Sequence, residues 1–205
     1  FIQLQDNIPV CGNNNNNNNN NPSFAHVQGV VTDPAGLPVD QLKVYINQVM
    51  MVEAVEGDFS IDSLHTGREY ELDLEREGPI HEGVSTLDLV MVRRHILRLE
   101  NLDAPYSLIA ADVNGDQSIS TRDLVEMRRT ILRQATEFSS GFNWRFIPNA
   151  YQFPNPEDPW LEPFPTAGLI DLQGDIDHVD FTALKMGDVN GTALSRSSAP
   201  LQEAL

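Results

Sequence analysis

A helical segment that occurs twice constrains this chain more than any other feature. GVSTLDLVMVRRHILRLE begins at residue 83 and SISTRDLVEMRRTILRQ at residue 118. Displaced by 35 residues, they agree at Ser85/Ser120, Thr86/Thr121, Asp88/Asp123, Leu89/Leu124, Val90/Val125, Arg93/Arg128, Arg94/Arg129, Ile96/Ile131, Leu97/Leu132 and Arg98/Arg133, ten of the fifteen positions from 84 to 98. Apolar residues recur at helical spacing, as in Leu87, Val90, Met91, Ile96 and Leu97. Ser85 stands three residues before Asp88, and Ser120 three before Asp123. That spacing predicts two N-capped helices, each with a carboxylate reaching back to its cap. Repeated units of this size stack so that each covers the other's apolar face.

The second copy is preceded by oxygen-bearing side chains at alternate positions, in DVNGDQSISTRD, residues 112–123. A hard cation such as Ca²⁺ takes six to eight oxygens, and a twelve-residue loop wound round it supplies them. Counted from Asp112, the ligand positions fall on Asp112, Asn114, Asp116, Ser118 through its carbonyl, and Asp123. Ile119 is the apolar anchor at position eight. Helix caps alone account for Ser120 and Asp123, but not for Asp112, Asn114 and Asp116 in register. Two positions depart from the general pattern. Gln117 replaces the glycine that a left-handed sixth position favours, at about 1 kcal/mol. Asp123 replaces a longer glutamate.

The first copy is poorer in ligands. Its matching positions are Glu77, Pro79 and His81, which leaves Asp88 and the Gly83 carbonyl, with Glu77 or Glu82 helping. GDVNG at 187–191 repeats the DVNG of 112–115 without a closing carboxylate after it. Asp188 and Asn190 are weak ligand candidates there, and an N-terminal turn explains them equally well.

The remaining chain is read as modular. Residues 1–11 form one short strand, either the end of an upstream module or a donor strand for another sheet edge. Residues 12–23 carry nine consecutive asparagines and are a linker. Residues 24–76 hold four alternating strands with turn residues between them, a small antiparallel β-sandwich with a thin core. Residues 77–193 are the duplicated loop–helix module, with an irregular Pro- and aromatic-rich extension over 135–178 and a short helix over 179–187. Residues 194–205 are a tail. The fold class is therefore α+β and modular.

The net charge of −17 disfavours nucleic acid and anionic membranes, and no apolar run is long enough for a membrane span. The chain starts at Phe1 and reads as a piece of a longer or processed polypeptide. Any disulfide partner of the single Cys11 lies elsewhere. No histidine pair has metal-ligand spacing, Cys11 has no basic neighbour in the sequence, and no carboxylate pair is singled out, so an enzyme is not expected.

The loops and duplicated helices resemble a type I dockerin, with DVNGDQSISTRDLVEMRRTIL following the repeat except at Gln117. The longer run of GVSTLDLVMVRRHIL, LDAPYSLIAADVNGD, NWRFIPNAYQFPNPEDPW and DFTALKMGDVNGTA resembles the dockerin-like C-terminal region of large secreted bacterial surface proteins. There it follows hyalin-repeat modules and a carboxypeptidase-regulatory-like β-sandwich, and often precedes a type IX secretion sorting domain. FIQLQDNIPVC and the 24–76 segment are similar to those two modules. The resemblance implies Ca²⁺ as cofactor and a non-catalytic structural or adhesion module of an extracellular, cell-surface or fibre protein. It also implies partner contacts of the cohesin kind at Ser85, Thr86, Ser120 and Thr121. Two other readings compete. Trp144, Tyr151, Phe153 and Trp160 could stack against a surface glycan, or simply pack the 142–164 segment onto the helices. The 1–10 strand on its tether could enter a neighbour's sheet and build a fibre.

Overall fold

A computed structural model of the protein describes residues 23–102 and 105–194. The 1–11 strand, Cys11, nearly all of the 12–23 linker and all but the first residue of the 194–205 tail lie outside the described residues. Eight strands and three helices are found among the described residues. The strands are β1 (Phe24–Thr32), β2 (Leu42–Ile46), β3 (Val49–Ala54), β4 (Asp58–His65), β5 (Arg68–Arg76), β6 (Trp144–Pro148), β7 (Gly168–Leu172) and β8 (Phe181–Lys185). The helices are α1 (Thr86–Ile96), α2 (Pro105–Ala111) and α3 (Thr121–Ile131). The fold is α+β, with two sheets and a helical unit set between β5 and β6 in sequence.

The sheets have the orders β4-β1-β8-β6 and β3-β2-β5-β7. All pairs are antiparallel except β1 with β8. In β1 the alternation is clear, with Ala25, Val27 and Val31 buried and Phe24, Gln28 and Val30 exposed. The first four strands expected between residues 24 and 76 are present as β1, β2, β4 and β5. A further strand, β3, follows a turn in which Asn47 and Gln48 both take positive φ, 49° and 66°, as a tight hairpin requires.

The sandwich does not end at residue 76. Three of its eight strands, β6, β7 and β8, come from residues 144–185, after the helices. Thus β7 and β6 lie within the stretch expected to be irregular, and the short helix expected over 179–187 is instead β8. Every residue of β8 is buried. Phe181 and Ala183 face the sandwich core, while Leu184 packs on the other side with Ile109 of α2 and Ile147 of β6. A strand covered on both faces has no period-two pattern to read. The additional strands also remedy the thin core expected of a fifty-residue sandwich.

The helical unit has its own core, built from Val92, Leu108, Ala111, Val113, Met127 and Met186 among others. Arg76, at the end of β5, ties it to the sandwich. Its Nη1 and Nη2 donate to Glu82 at 2.6 and 3.1 Å, its Nε donates to the Asp40 carbonyl at 3.0 Å, and its guanidinium lies 4.4 Å from the Trp144 ring centre. Lys185, at the end of β8, donates through Nζ to the carbonyls of Ile80 and Met186 at 2.7 and 3.0 Å.

Candidate functional site: two acidic loops at helix N-termini

The N-termini of α1 and α3 are built alike. Ser85 and Ser120 are the N-caps, at φ −134° and −139°. Asp88 and Asp123 complete the capping boxes by accepting the backbone N–H of Ser85 and of Ser120, each at 2.8 Å. Both helices also end alike. Arg98 and Arg133 take φ of 55°, and their N–H groups and those of the residues after them close on the last carbonyls: Arg98 to His95, Leu99 to Arg94, Arg133 to Thr130 and Gln134 to Arg129. This is a Schellman closure with arginine where glycine is usual.

The 112–123 loop runs from the end of α2 into the first turn of α3. Asp112, 3% exposed, accepts the N–H of Gly115 and Asp116 on Oδ1 and that of Gln117 on Oδ2, at 2.9, 3.1 and 2.9 Å. Asn114 accepts the Asp116 N–H at 2.8 Å, and Asp116 accepts the Ser118 N–H at 3.1 Å. Fully buried Asp123 closes the turn by accepting the Asn114 N–H at 3.3 Å. Gln117 takes φ of 64°, the left-handed conformation expected at the sixth position. Ile119 packs on the helical core. Asp112, Asn114 and Asp123 thus come together, Ser118 is exposed, and the exposed Asp116 side chain also meets Arg122 at 3.3 Å.

The two buried carboxyls of the loop act on each other. Burial pushes the carboxyls of Asp112 and Asp123 above the ordinary range, although backbone N–H donors oppose the shift, and the charge of Asp123 raises Asp112 further. No ion pair reaches either side chain among the described residues. The buried Asn114 Nδ2 has no partner. No group of three histidine, cysteine, aspartate or glutamate side chains suited to a metal occurs among the described residues. The oxygens on offer are the buried Asp112 and Asp123 carboxylates, the Asn114 amide oxygen and the Asp116 carboxylate, which also meets Arg122. That set suits a hard divalent ion and not a soft one.

The region before α1 is arranged differently. Glu77 accepts from Lys43 at 2.6 Å and Glu82 is held by Arg76, so both expected helpers are engaged with the sandwich. Fully buried Asp88 instead accepts the N–H groups of Val189 and Asn190, at 3.0 and 3.3 Å. Gly83 takes φ of 72°, and a Cβ there would stand 2.7 Å from Asp188 Oδ2. The 187–193 segment therefore sits on the N-terminus of α1. Linear counting back from Asp88 could not reveal this, but the repeated DVNG was the available signal.

Ser85 and Ser120 are half-buried in their caps, while Thr86 and Thr121 are exposed. Each helix also exposes apolar side chains at matching places, Val90 and Leu97 on α1 and Val125 and Leu132 on α3, all at least 50% exposed. Trp144 is 6% exposed and lies beneath Arg76, so it belongs to the core and offers no face to a sugar. Tyr151 and Phe153 pack with Tyr106 and Phe164, and Trp160 packs against the helical core.

No curated protein and no solved structure matches the chain. No described helix is long and apolar enough to cross a membrane. A family match falls on the two capped helices and the loop between them: residues 82–132 fit the dockerin type I domain, and this part of the chain is a dockerin type I-like unit joined to a β-sandwich.

Proposed function

We propose that the protein is a non-catalytic docking and structural module of an extracellular, cell-surface protein, with its helical unit organised by calcium. Dockerin type I domains bind calcium and serve as protein-docking modules, and the family match covers both helices. The observation that carries the reading is the 112–123 loop, which folds two buried carboxylates, Asp112 and Asp123, against the N-terminus of α3. A calcium ion held by Asp112, Asn114, Asp116, Asp123 and the Ser118 carbonyl would neutralise that buried charge and fix α3 relative to α2. The docking surface is the duplicated face that exposes Thr86, Val90 and Leu97 along α1 and its C-cap, and Thr121, Val125 and Leu132 along α3 and its C-cap, beside the half-buried caps Ser85 and Ser120. Apolar side chains exposed in matching register on two packed helices are more than scattered surface residues. Adhesion or fibre formation is the wider role this module would serve in its parent protein.

Binding to immobilised cohesin modules, with calcium and with chelator, tests the reading. Calcium-dependent binding that is weakened at least tenfold by Val125→Asp with Leu132→Asp is expected. Binding that persists in chelator and in the double variant would contradict it.

A further inference from the structure

We propose that the cleft between α2, the 112–117 turn and the 160–164 segment binds an acidic sugar, with Arg145 of β6 receiving its carboxylate. Histidines aside, the basic side chains that are buried or half-buried among the described residues are Lys43, Arg76, Arg145 and Lys185. Lys43 is bonded to Glu77, Arg76 to Glu82, and Lys185 to two backbone carbonyls. Arg145 has no hydrogen bond and no ion pair with any described residue. Its guanidinium lies instead 4.2 Å from the Phe142 ring centre and 5.9 Å from that of Phe164. Stacking on a ring engages the face of a guanidinium and leaves its in-plane N–H fork for a planar carboxylate. The Arg145 nitrogens still meet solvent, so that fork can be reached. Burial lowers the pKa of Arg145, but arginine stays charged. A partly desolvated cation without a counter-charge is unfavourable, and an incoming anion relieves it.

The rest of the cleft says what carries the carboxylate. Its volume is about 270 Å³. Ligand clefts usually measure about 300–1,000 Å³, so this one suits a single ring better than a peptide. Ile109, Trp160 and Phe164 give it an apolar wall for the C–H face of a sugar, and Gln117 and Glu162 bring donors and acceptors for hydroxyls. Of Trp144, Tyr151, Phe153 and Trp160, only Trp160 lines it. Asp112 and Glu162 add negative charge. Asp112 spends both oxygens on backbone N–H groups, and Glu162 is exposed. Two carboxylates beside one guanidinium make a poor host for a dianion such as sulfate, and leave a singly charged carboxylate as the anion that fits. None of these contacts needs a cation in the 112–123 loop.

Titration of the full chain with sodium glucuronate, followed by NMR at the Arg145 Nε–H and the Trp160 indole N–H, tests the site. Both signals should shift. Two ligand controls use the unaltered protein, so they hold even if a variant fails to fold. The methyl ester of glucuronate keeps the ring and removes the charge, acetate keeps the charge and lacks the ring, and each should bind at least tenfold more weakly than glucuronate. Arg145→Gln should weaken glucuronate binding at least tenfold. Glucuronate that moves neither signal, or that binds Arg145→Gln as tightly as the wild type, overturns the site. Acetate equal to glucuronate, or a polyglutamate peptide that binds more tightly, overturns the sugar and makes the cleft a receptor for protein carboxylates.

Discussion

At the residue scale the two helices share an avoidable cost. Arg98 and Arg133 occupy left-handed backbone at the ends of α1 and α3, where a Cβ is unfavourable by about 1–2 kcal/mol. Glycine relieves that strain and returns part of the gain through the entropy of the unfolded chain. Arg98→Gly and Arg133→Gly should each raise stability by roughly 0.5–1 kcal/mol in denaturant unfolding. Histidine titration offers a second test. The His26 ring meets Asp177 at 2.8 Å and Asp175 at 3.2 Å, and the Asp177 hydrogen bond, with the two charges, raises its pKa above the usual 6.5. A raised folded pKa means that the protonated ring stabilises the fold fully below 6.5, and that this contribution is lost as pH rises through the folded value. His95 is displaced the other way by burial. An NMR titration should therefore place the His26 midpoint above 6.5 and the His95 midpoint below it, with His26 returning towards 6.5 in Asp177→Asn. The caps were legible in the sequence because chemistry and spacing coincided there, at Ser85, Asp88, Ser120 and Asp123. Residues were illegible where a contact crosses a hundred positions, as between Asp88 and Asn190.

At the element scale, α1 and α3 could be read because duplication, periodicity and caps all agreed. The four strands β1, β2, β4 and β5 could be read because one face of each is wet and the alternation survives. In contrast β8 lost that signal to burial on both faces, and β6 and β7 are short strands separated by long irregular chain. The position of β8 links packing to the site. Its Leu184 is 2% exposed against Ile109 of α2, Gly187 donates its N–H to the Ala110 carbonyl at 2.8 Å, and Asp112 is the next residue after α2. Leu184→Ala should cost about 2–5 kcal/mol by leaving a cavity. It should also weaken calcium binding, because α2 then holds Asp112 less firmly. Unfolding and a calcium titration of the same variant would check both effects, and unchanged affinity in a destabilised protein would separate the loop from the strand.

At the scale of the whole molecule, the helical unit is an insertion between sandwich strands and not an appendage after them. Arg76, Glu82, Trp144 and Lys185 fasten it at the ends of β5, β6 and β8. A cation bound at the α3 loop therefore acts on an assembly whose parts are fastened together, and its effect should be felt in global unfolding. Binding only to the folded state contributes about 1.4 kcal/mol for each tenfold excess of calcium over its dissociation constant. The most direct measurement is thermal unfolding of the full chain in millimolar calcium and in chelator, for the wild type and for Asp112→Ala. A lower melting temperature in chelator, with a distinctly smaller calcium response in Asp112→Ala, is the predicted result. A wild-type melting temperature indifferent to chelation, or an Asp112→Ala response as large as the wild type's, would contradict the claim that the 112–123 loop is held by a cation.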